Sequence, residues 1–295
     1  ILHAVLEDFV RTYRKGRTTL EIERCVADSF EKQKQDARIE GLFQTKQGEA
    51  LLNRLKAEMN RMCGWIQNQL EHSHYEPICQ EYAFHDLQVQ SGSIVVKLSG
   101  KVDRIDGDEN GCFVLDYKTG SVGYDEKLLY VGLKLQFFVY KKAVESYLQK
   151  PVNGVYYLQV RDTFDTSKGK RQFVGRTVAD RSVVESIDDT FLQNGSSVLL
   201  DVKAKEGEPE GKGALTKEQM QNCEDYAFDL ICSGLEQMRQ GYIRPSPVKD
   251  EKNKVPCTYC DYASVCPFGD STEEVYRTLP TVNKETFRRK NHENE

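Results

Sequence analysis

The chain has 295 residues, 39% of them apolar and 29% charged, with a formal net charge of −5. That is more polar than an average globular chain yet apolar enough for a core, in one large domain or two small ones. The acidic balance excludes a generally basic nucleic-acid coat, though not a local basic groove beside an acidic metal site. No run approaches the roughly 18 apolar residues of a membrane span, and no signal peptide is visible, so no membrane partner is expected.

Residues 2–14 carry Leu2, Val5, Leu6, Phe9, Val10 and Tyr13 at helical spacing, which predicts a helix. Further helices are predicted over 19–36 and 47–70, the second with Leu51, Leu52, Leu55, Met59, Met62 and Ile66 on one side. The chain opens inside the first of these helices, at Ile1-Leu2-His3, so it is expected to be a piece of a longer protein. The pattern then becomes β-like. Runs at 77–89, 93–98, 100–106 and 112–117 predict a meander of about four strands, the last two joined by the turn-forming Gly-Asp-Glu-Asn-Gly. A helix over 133–148, strands over 152–160 and 173–178, and a helix over 183–192 follow. The polar, Gly-rich stretch 201–213 is expected to be a mobile loop. A last helix over 216–240 ends at Gly241, and the tail beyond Tyr276 is expected to be weakly ordered. The organisation is a helical lead-in (1–75), a mixed-sheet core (76–245) and a Cys-bearing C-terminal segment (246–295).

Two of the acids in 100–120 stand near the middles of β-like runs, where Asp is disfavoured. In a strand, residues two apart share a face, so Asp116 and Lys118 project together. A carboxylate with an ammonium beside it can hold a divalent metal and stabilise charge at a scissile phosphate. A turn centred near residue 109 places Asp103 opposite residue 115 or 116, so Asp103 and Asp116 can sit side by side. A shared metal requires that arrangement and a bare sheet penalises it. Asp106 falls on the other face and reads as a turn or salt-bridge residue.

There are nine Cys. Six are scattered (Cys25, Cys63, Cys79, Cys112, Cys223 and Cys232) and read as buried or free thiols of a reducing compartment, here the cytoplasm. Cys257, Cys260 and Cys266 form a C-x2-C-x5-C run. Three thiolates so close in sequence point to a metal, and both zinc and a [4Fe–4S] cluster call for a fourth ligand.

The run GKVDRID…VLDYKTG, with Gln136-Phe-Phe-Val-Tyr140 after it and His3 in LHAVLEDF before it, resembles the RecB-type nuclease branch of the PD-(D/E)xK superfamily from residue 1 to about 270. The resemblance implies an α/β fold with a restriction-endonuclease-like core: a mixed central sheet flanked by helices, after a helical N-terminal lead-in. It implies that Asp103, Asp116 and His3 ligate Mg or Mn, and that Lys118 is the catalytic lysine. Glu81 would help to position the metal or the lysine, while Gln136 and Tyr140, one helical turn apart, would bind the substrate backbone or orient Lys118. The C-x-Y-C-x-Y-x-x-x-C segment, the size and the acidic balance resemble AddB-type subunits of AddAB helicase-nucleases. In that group the Cys triplet joins an upstream Cys in a 4Fe-4S cluster, so this chain is expected to hold its cluster incompletely or not at all. The implied activity is metal-dependent exonucleolytic cleavage of single-stranded DNA ends in double-strand-break repair, with an AddA-like partner subunit. The competing readings are a catalytically silent DNA-binding or scaffolding domain, a stand-alone CRISPR-associated exonuclease, and a zinc knuckle on a structural sheet.

Overall fold

The computed structural model describes residues 1–36, 39–161, 171–250, 254–266, 268, 275–283 and 285–287. Helices α1 (Leu2–Arg11), α2 (Thr19–Gln33) and α3 (Lys46–Glu71) come first. Strands β1 (Glu76–Ser91), β2 (Ile94–Gly107) and β3 (Cys112–Lys118) follow, then α4 (Glu126–Tyr130), α5 (Gln136–Leu148), β4 (Val152–Gln159) and β5 (Val174–Val178). The chain continues through α6 (Arg181–Ile187), α7 (Thr190–Asn194), β6 (Lys203–Lys205), β7 (Glu208–Glu210), β8 (Ala214–Leu215), α8 (Lys217–Arg239), β9 (Val248–Lys249) and β10 (Arg277–Thr278). Among the described residues no helix is long and apolar enough to cross a membrane.

By its contacts the chain divides into two units. The first comprises Ile1–Asp86, Ser99–Gly123 and Tyr140–Lys217; the second comprises Leu87–Leu98, Tyr124–Val139 and the described part of Glu218–Glu295.

The central sheet has six strands in the order β1-β2-β3-β4-β5-β8. It is mixed: β2/β3 and β4/β5 are antiparallel, β3/β4 and β5/β8 parallel. In the first unit, α1 turns Val5, Leu6, Phe9 and Val10 inward, where they meet Phe30 of α2, Met59, Met62 and Ile66 of α3, and Phe113, Leu115 and Tyr117 of β3. Full burial of each large apolar side chain stabilises by about 1.5–3 kcal/mol, so α1 alone contributes an upper bound of roughly 6–12 kcal/mol. Helix α2 starts in a capping box, with Thr18 and Glu21 satisfying each other's backbone N–H groups. In the second unit, Tyr130 stacks on Tyr226 with centroids 5.6 Å apart, and β9 pairs in parallel with β10.

Several sequence expectations change. The four-strand meander is three long strands, because 93–98 and 100–106 form one strand, β2. Gly100 does not break it: the aromatic ring of Phe84 lies where a Cβ would be, 2.7 Å from the nearest ring carbon, so glycine admits a ring against the backbone. The helix expected over 183–192 is two helices, interrupted at Asp188, whose buried carboxylate accepts from the backbone N–H groups of Thr190, Val198 and Leu199. The expected mobile loop at 201–213 contains the hairpin β6/β7, turned by Glu206 and Gly207 at φ 53° and 92°. Two left-handed residues in succession make the turn whose twist suits a hairpin. The tail expected to be weakly ordered forms β10 at its start; residues 288–295 lie outside the described residues.

Candidate active site

The β2/β3 register pairs Arg104 with Leu115 and Ile105 with Val114. Continued by one residue, it sets Asp103 opposite Asp116. The turn fixes this register: the Asp108 carboxylate accepts from the backbone N–H groups of Asn110 at 2.7 Å and Gly111 at 3.0 Å. Asp103 and Asp116 therefore share one face near the sheet centre, and the Asp103 carboxylate also accepts from the Tyr117 N–H at 2.6 Å.

Three further side chains reach Asp103 and Asp116. From α1, His3 Nδ1 lies 3.5 Å from Asp103 Oδ1. From β1, Glu81 arrives with its backbone at φ 55°, a left-handed conformation that is uncommon for a non-glycine residue. One donor atom each from His3, Glu81 and Asp103 lie within 4.8 Å of one another. From β3 itself, Lys118 Nζ is 2.5 Å from Asp116 Oδ2. Lys118 remains 35% exposed while Asp116 is 7% exposed, so the ammonium can reach outward and the carboxylate cannot.

The electrostatics follow from this crowding. The His3 pKa is raised, first by its hydrogen bond to Asp103, against the opposing effect of partial burial, and then by the charges of Asp103, Glu81 and Asp116. Burial raises the Asp116 pKa; the hydrogen bond to Lys118 opposes this and the Asp103 charge adds to it. His3, Lys101 and Lys118 offset part of the repulsion among these carboxylates, and a divalent cation would offset more. The donors are one imidazole and carboxylate oxygens with no thiolate, a set that suits a hard divalent cation such as Mg or Mn.

Two neighbours were not visible in the sequence. Lys101 pairs with Glu81. The Lys118 ammonium lies 5.0 Å from the centroid of the Tyr157 ring, which β4 supplies by pairing Tyr157 with Asp116. Only the parallel register of β3 and β4, which shifts at Cys112/Phe113, brings that ring there.

The remaining candidates are placed as follows. Tyr140 meets Phe84 edge-on at 6.1 Å. Burial first, and then the Asp116 charge, raises the Tyr157 pKa. Gln136 opens α5 and belongs to the second unit. Asp106 is a salt-bridge residue within β2, paired with Arg104, and not part of the turn. Cys257, Cys260 and Cys266 lie on and just after a short 3₁₀ turn at Pro256–Tyr259 in the second unit. Among the described residues their sulfurs do not form a group with donor atoms within 4.8 Å of one another. None of the nine Cys is in a disulfide.

A mixed α/β sheet that gathers His, Glu, two Asp and a Lys at its centre has the composition of a phosphodiester-cleaving site. Residues 1–267 match the family described as the PD-(D/E)XK nuclease superfamily, and the chain belongs to that family. It is 28% identical over 310 residues to the B subunit of the ATP-dependent helicase/deoxyribonuclease of Clostridium tetani, covering 92% of this chain and 27% of that protein. It is also 28% identical to the proteins of the same description from Ruminiclostridium cellulolyticum (78% of this chain, 22% of that protein) and Lachnoclostridium phytofermentans (89% and 25%). The chain thus spans about a quarter of the length of the curated relatives it matches.

Proposed function

We propose that this chain is the nuclease part of an ATP-dependent helicase-nuclease, a Mg- or Mn-dependent deoxyribonuclease that degrades single-stranded DNA from ends during double-strand-break repair in the cytoplasm. The observation that carries this is the convergence of His3, Glu81 and Asp103 within 4.8 Å of one another, beside the Asp116–Lys118 pair. The names of the relatives supply the helicase-nuclease context and imply a partner subunit. We take that partner to be of AddA type.

His3, Glu81 and Asp103 would hold the divalent cation, with Asp116 completing the set from across the β2/β3 pair. The cation, when bound, would polarise the scissile phosphate and make a water more acidic. Lys118, exposed enough to leave Asp116, donates to a phosphate oxygen and offsets the negative charge that grows there as water attacks. Tyr157 supports the lysine from one side. Tyr140 would bind the substrate backbone or orient Lys118. Cys257, Cys260 and Cys266 would supply three ligands of an iron–sulfur cluster, completed by a Cys elsewhere in the longer protein. Iron content measured in that longer protein checks this; absence of iron after anaerobic purification overturns it.

The nuclease reading is tested by Mg- and Mn-dependent degradation of single-stranded DNA by the intact subunit complex and by its Asp116→Ala and Lys118→Ala forms. The expected loss is about 10²–10³-fold for the lysine change and complete for the aspartate. Undiminished cleavage by both variants refutes it.

A further inference from the structure

Arg104 and Asp106 are fully buried, and the reaction described above uses neither. Arg104 Nε donates to Asp106 Oδ1 at 2.7 Å, and Nη2 donates to Asp106 Oδ2. Nη2 also reaches Gln69 Oε1 of α3 at 2.9 Å, and Nη1 approaches the Tyr117 hydroxyl at 3.5 Å. Burying such a pair is costly, and a well-packed apolar pair often stabilises as well or better. The pair is therefore weak evidence for stability, and where it leads in the structure is informative.

It leads to Tyr117. This residue sits between Asp116 and Lys118 but turns its side chain to the opposite face of β3, where it is 4% exposed. Its N–H donates to Asp103 Oδ2 at 2.6 Å. Its ring meets the His3 ring edge-on, with centroids 5.9 Å apart and planes at 78°. His3 and Asp103 come from different elements, α1 and β2, and both are referenced to this one tyrosine on β3. Without a divalent cation, His3, Lys101 and Lys118 offset the repulsion among the carboxylates, but these partners do not by themselves fix ligand spacing. Metal coordination tolerates only small errors of position.

We propose that the Tyr117 side chain, anchored by Arg104, is a positioning residue that holds His3 at ligand spacing beside Asp103, which the Tyr117 backbone N–H fixes, for the divalent cation. This rests on the metal-dependent nuclease reading. Arg104, held by Asp106, acts at one remove: it approaches the hydroxyl of the ring that meets the imidazole edge-on.

The test measures Mn²⁺ dissociation constants by calorimetry on the metal-free 295-residue chain, well below its melting temperature, together with the Mn²⁺ half-saturation and kcat of single-strand cleavage. Tyr117→Phe removes only the hydroxyl that Arg104 approaches. Tyr117→Leu removes the ring edge against His3. Arg104→Met with Asp106→Leu replaces the buried pair by apolar groups of similar size. Tyr117→Leu and the double variant are expected to weaken Mn²⁺ binding by about 10–100-fold, the usual effect of removing a group that orients a metal ligand. Tyr117→Phe should weaken it by about threefold to tenfold, below that range because the ring remains. In each, half-saturation should rise more than kcat falls. A merely structural role would lower the melting temperature and leave the Mn²⁺ constant of the folded protein unchanged. An unchanged constant in Tyr117→Phe and in whichever of the other two folds overturns the proposal. Tyr117→Phe keeps the packed ring, so it is read even if the others do not accumulate. A wild-type chain that binds no Mn²⁺ overturns the nuclease reading instead, and the two failures are distinguishable.

Discussion

Replacing Asp116 with Asn should make the metal-free protein more stable and the metal-loaded protein relatively less so. The carboxylate is 7% exposed and feels the charge of Asp103, which the β2/β3 register, continued by one residue, sets opposite it. Side chains opposed across an antiparallel pair lie about 5 Å apart. At an effective dielectric constant near 20, two like charges at that distance cost about 3 kcal/mol. Lys118 and His3 offset part of this, which leaves a gain of roughly 1–2 kcal/mol when Asn removes the charge. For a chain of this size that corresponds to a rise of about 2–6 °C in melting temperature with chelator present. Burial raises the Asp116 pKa, so the ionised form is the one the fold disfavours. The penalty is absent below the unfolded value of about 3.9. It grows as pH rises through the raised folded value, so the advantage of Asn disappears in acid. With Mg²⁺ at about 100 times its dissociation constant, the wild type gains about 2.7 kcal/mol and the variant loses most of that gain. Thermal melts with chelator and with Mg²⁺, at neutral and acidic pH, read all four quantities. A variant that melts below the wild type in chelator, or that gains as much from Mg²⁺, refutes the reasoning.

Three further changes test the frame around the site. Gly175→Ala on β5 would place a Cβ 1.9 Å from the Val155 carbonyl oxygen, a backbone atom of β4 that cannot yield. A loss of about 3 kcal/mol or more is expected in urea unfolding, and an unchanged midpoint contradicts it. Asp188→Asn should cost about 3 kcal/mol. Its carboxylate accepts from Val198 N at 2.8 Å and Leu199 N at 2.9 Å, as well as Ser197 Oγ at 2.5 Å, and an amide cannot accept from them all. Guanidinium unfolding checks this. Asp180→Ala removes the N-cap of α6, which accepts from Ser182 N at 3.1 Å, at a cost of about 1 kcal/mol. The hydrogen bond from the Ser182 hydroxyl, chief among its interactions, lowers the Asp180 pKa, so its contribution is full above the unfolded value of about 3.9. That contribution is lost as pH falls through the depressed folded value, and wild type and variant should unfold alike in strong acid.

What could be read without the structure, and what could not, separates along one physical line. The Asp103–Asp116 juxtaposition was legible because a short turn fixes it: Asp108 closes the Gly-Asp-Glu-Asn-Gly turn, and the turn sets every pair behind it. A slip of one residue would send both carboxylates to the opposite face, so the pattern and the site stand or fall together. The approach of Glu81 depends on a left-handed backbone on a neighbouring strand, and no propensity in Gln-Glu-Tyr announces that. Asp106 was ambiguous for the opposite reason. Its alternation with Asp103 was visible, but the buried environment that pairs it with Arg104 needs Gln69, which meets Arg104 across 35 residues of chain. The hairpin is therefore encoded locally, whereas its supports come from α1, α3, β1 and β4. A motif of the right residues can arise on any exposed hairpin, where Asp-x-Lys is a solvated face. What turns it into a site is the distant chain that buries Asp116, bends Glu81 inward and fixes Tyr117 from behind. Substitutions in those supports, rather than in the motif, are therefore expected to disturb the cluster of His3, Glu81 and Asp103 while keeping every residue that identifies it.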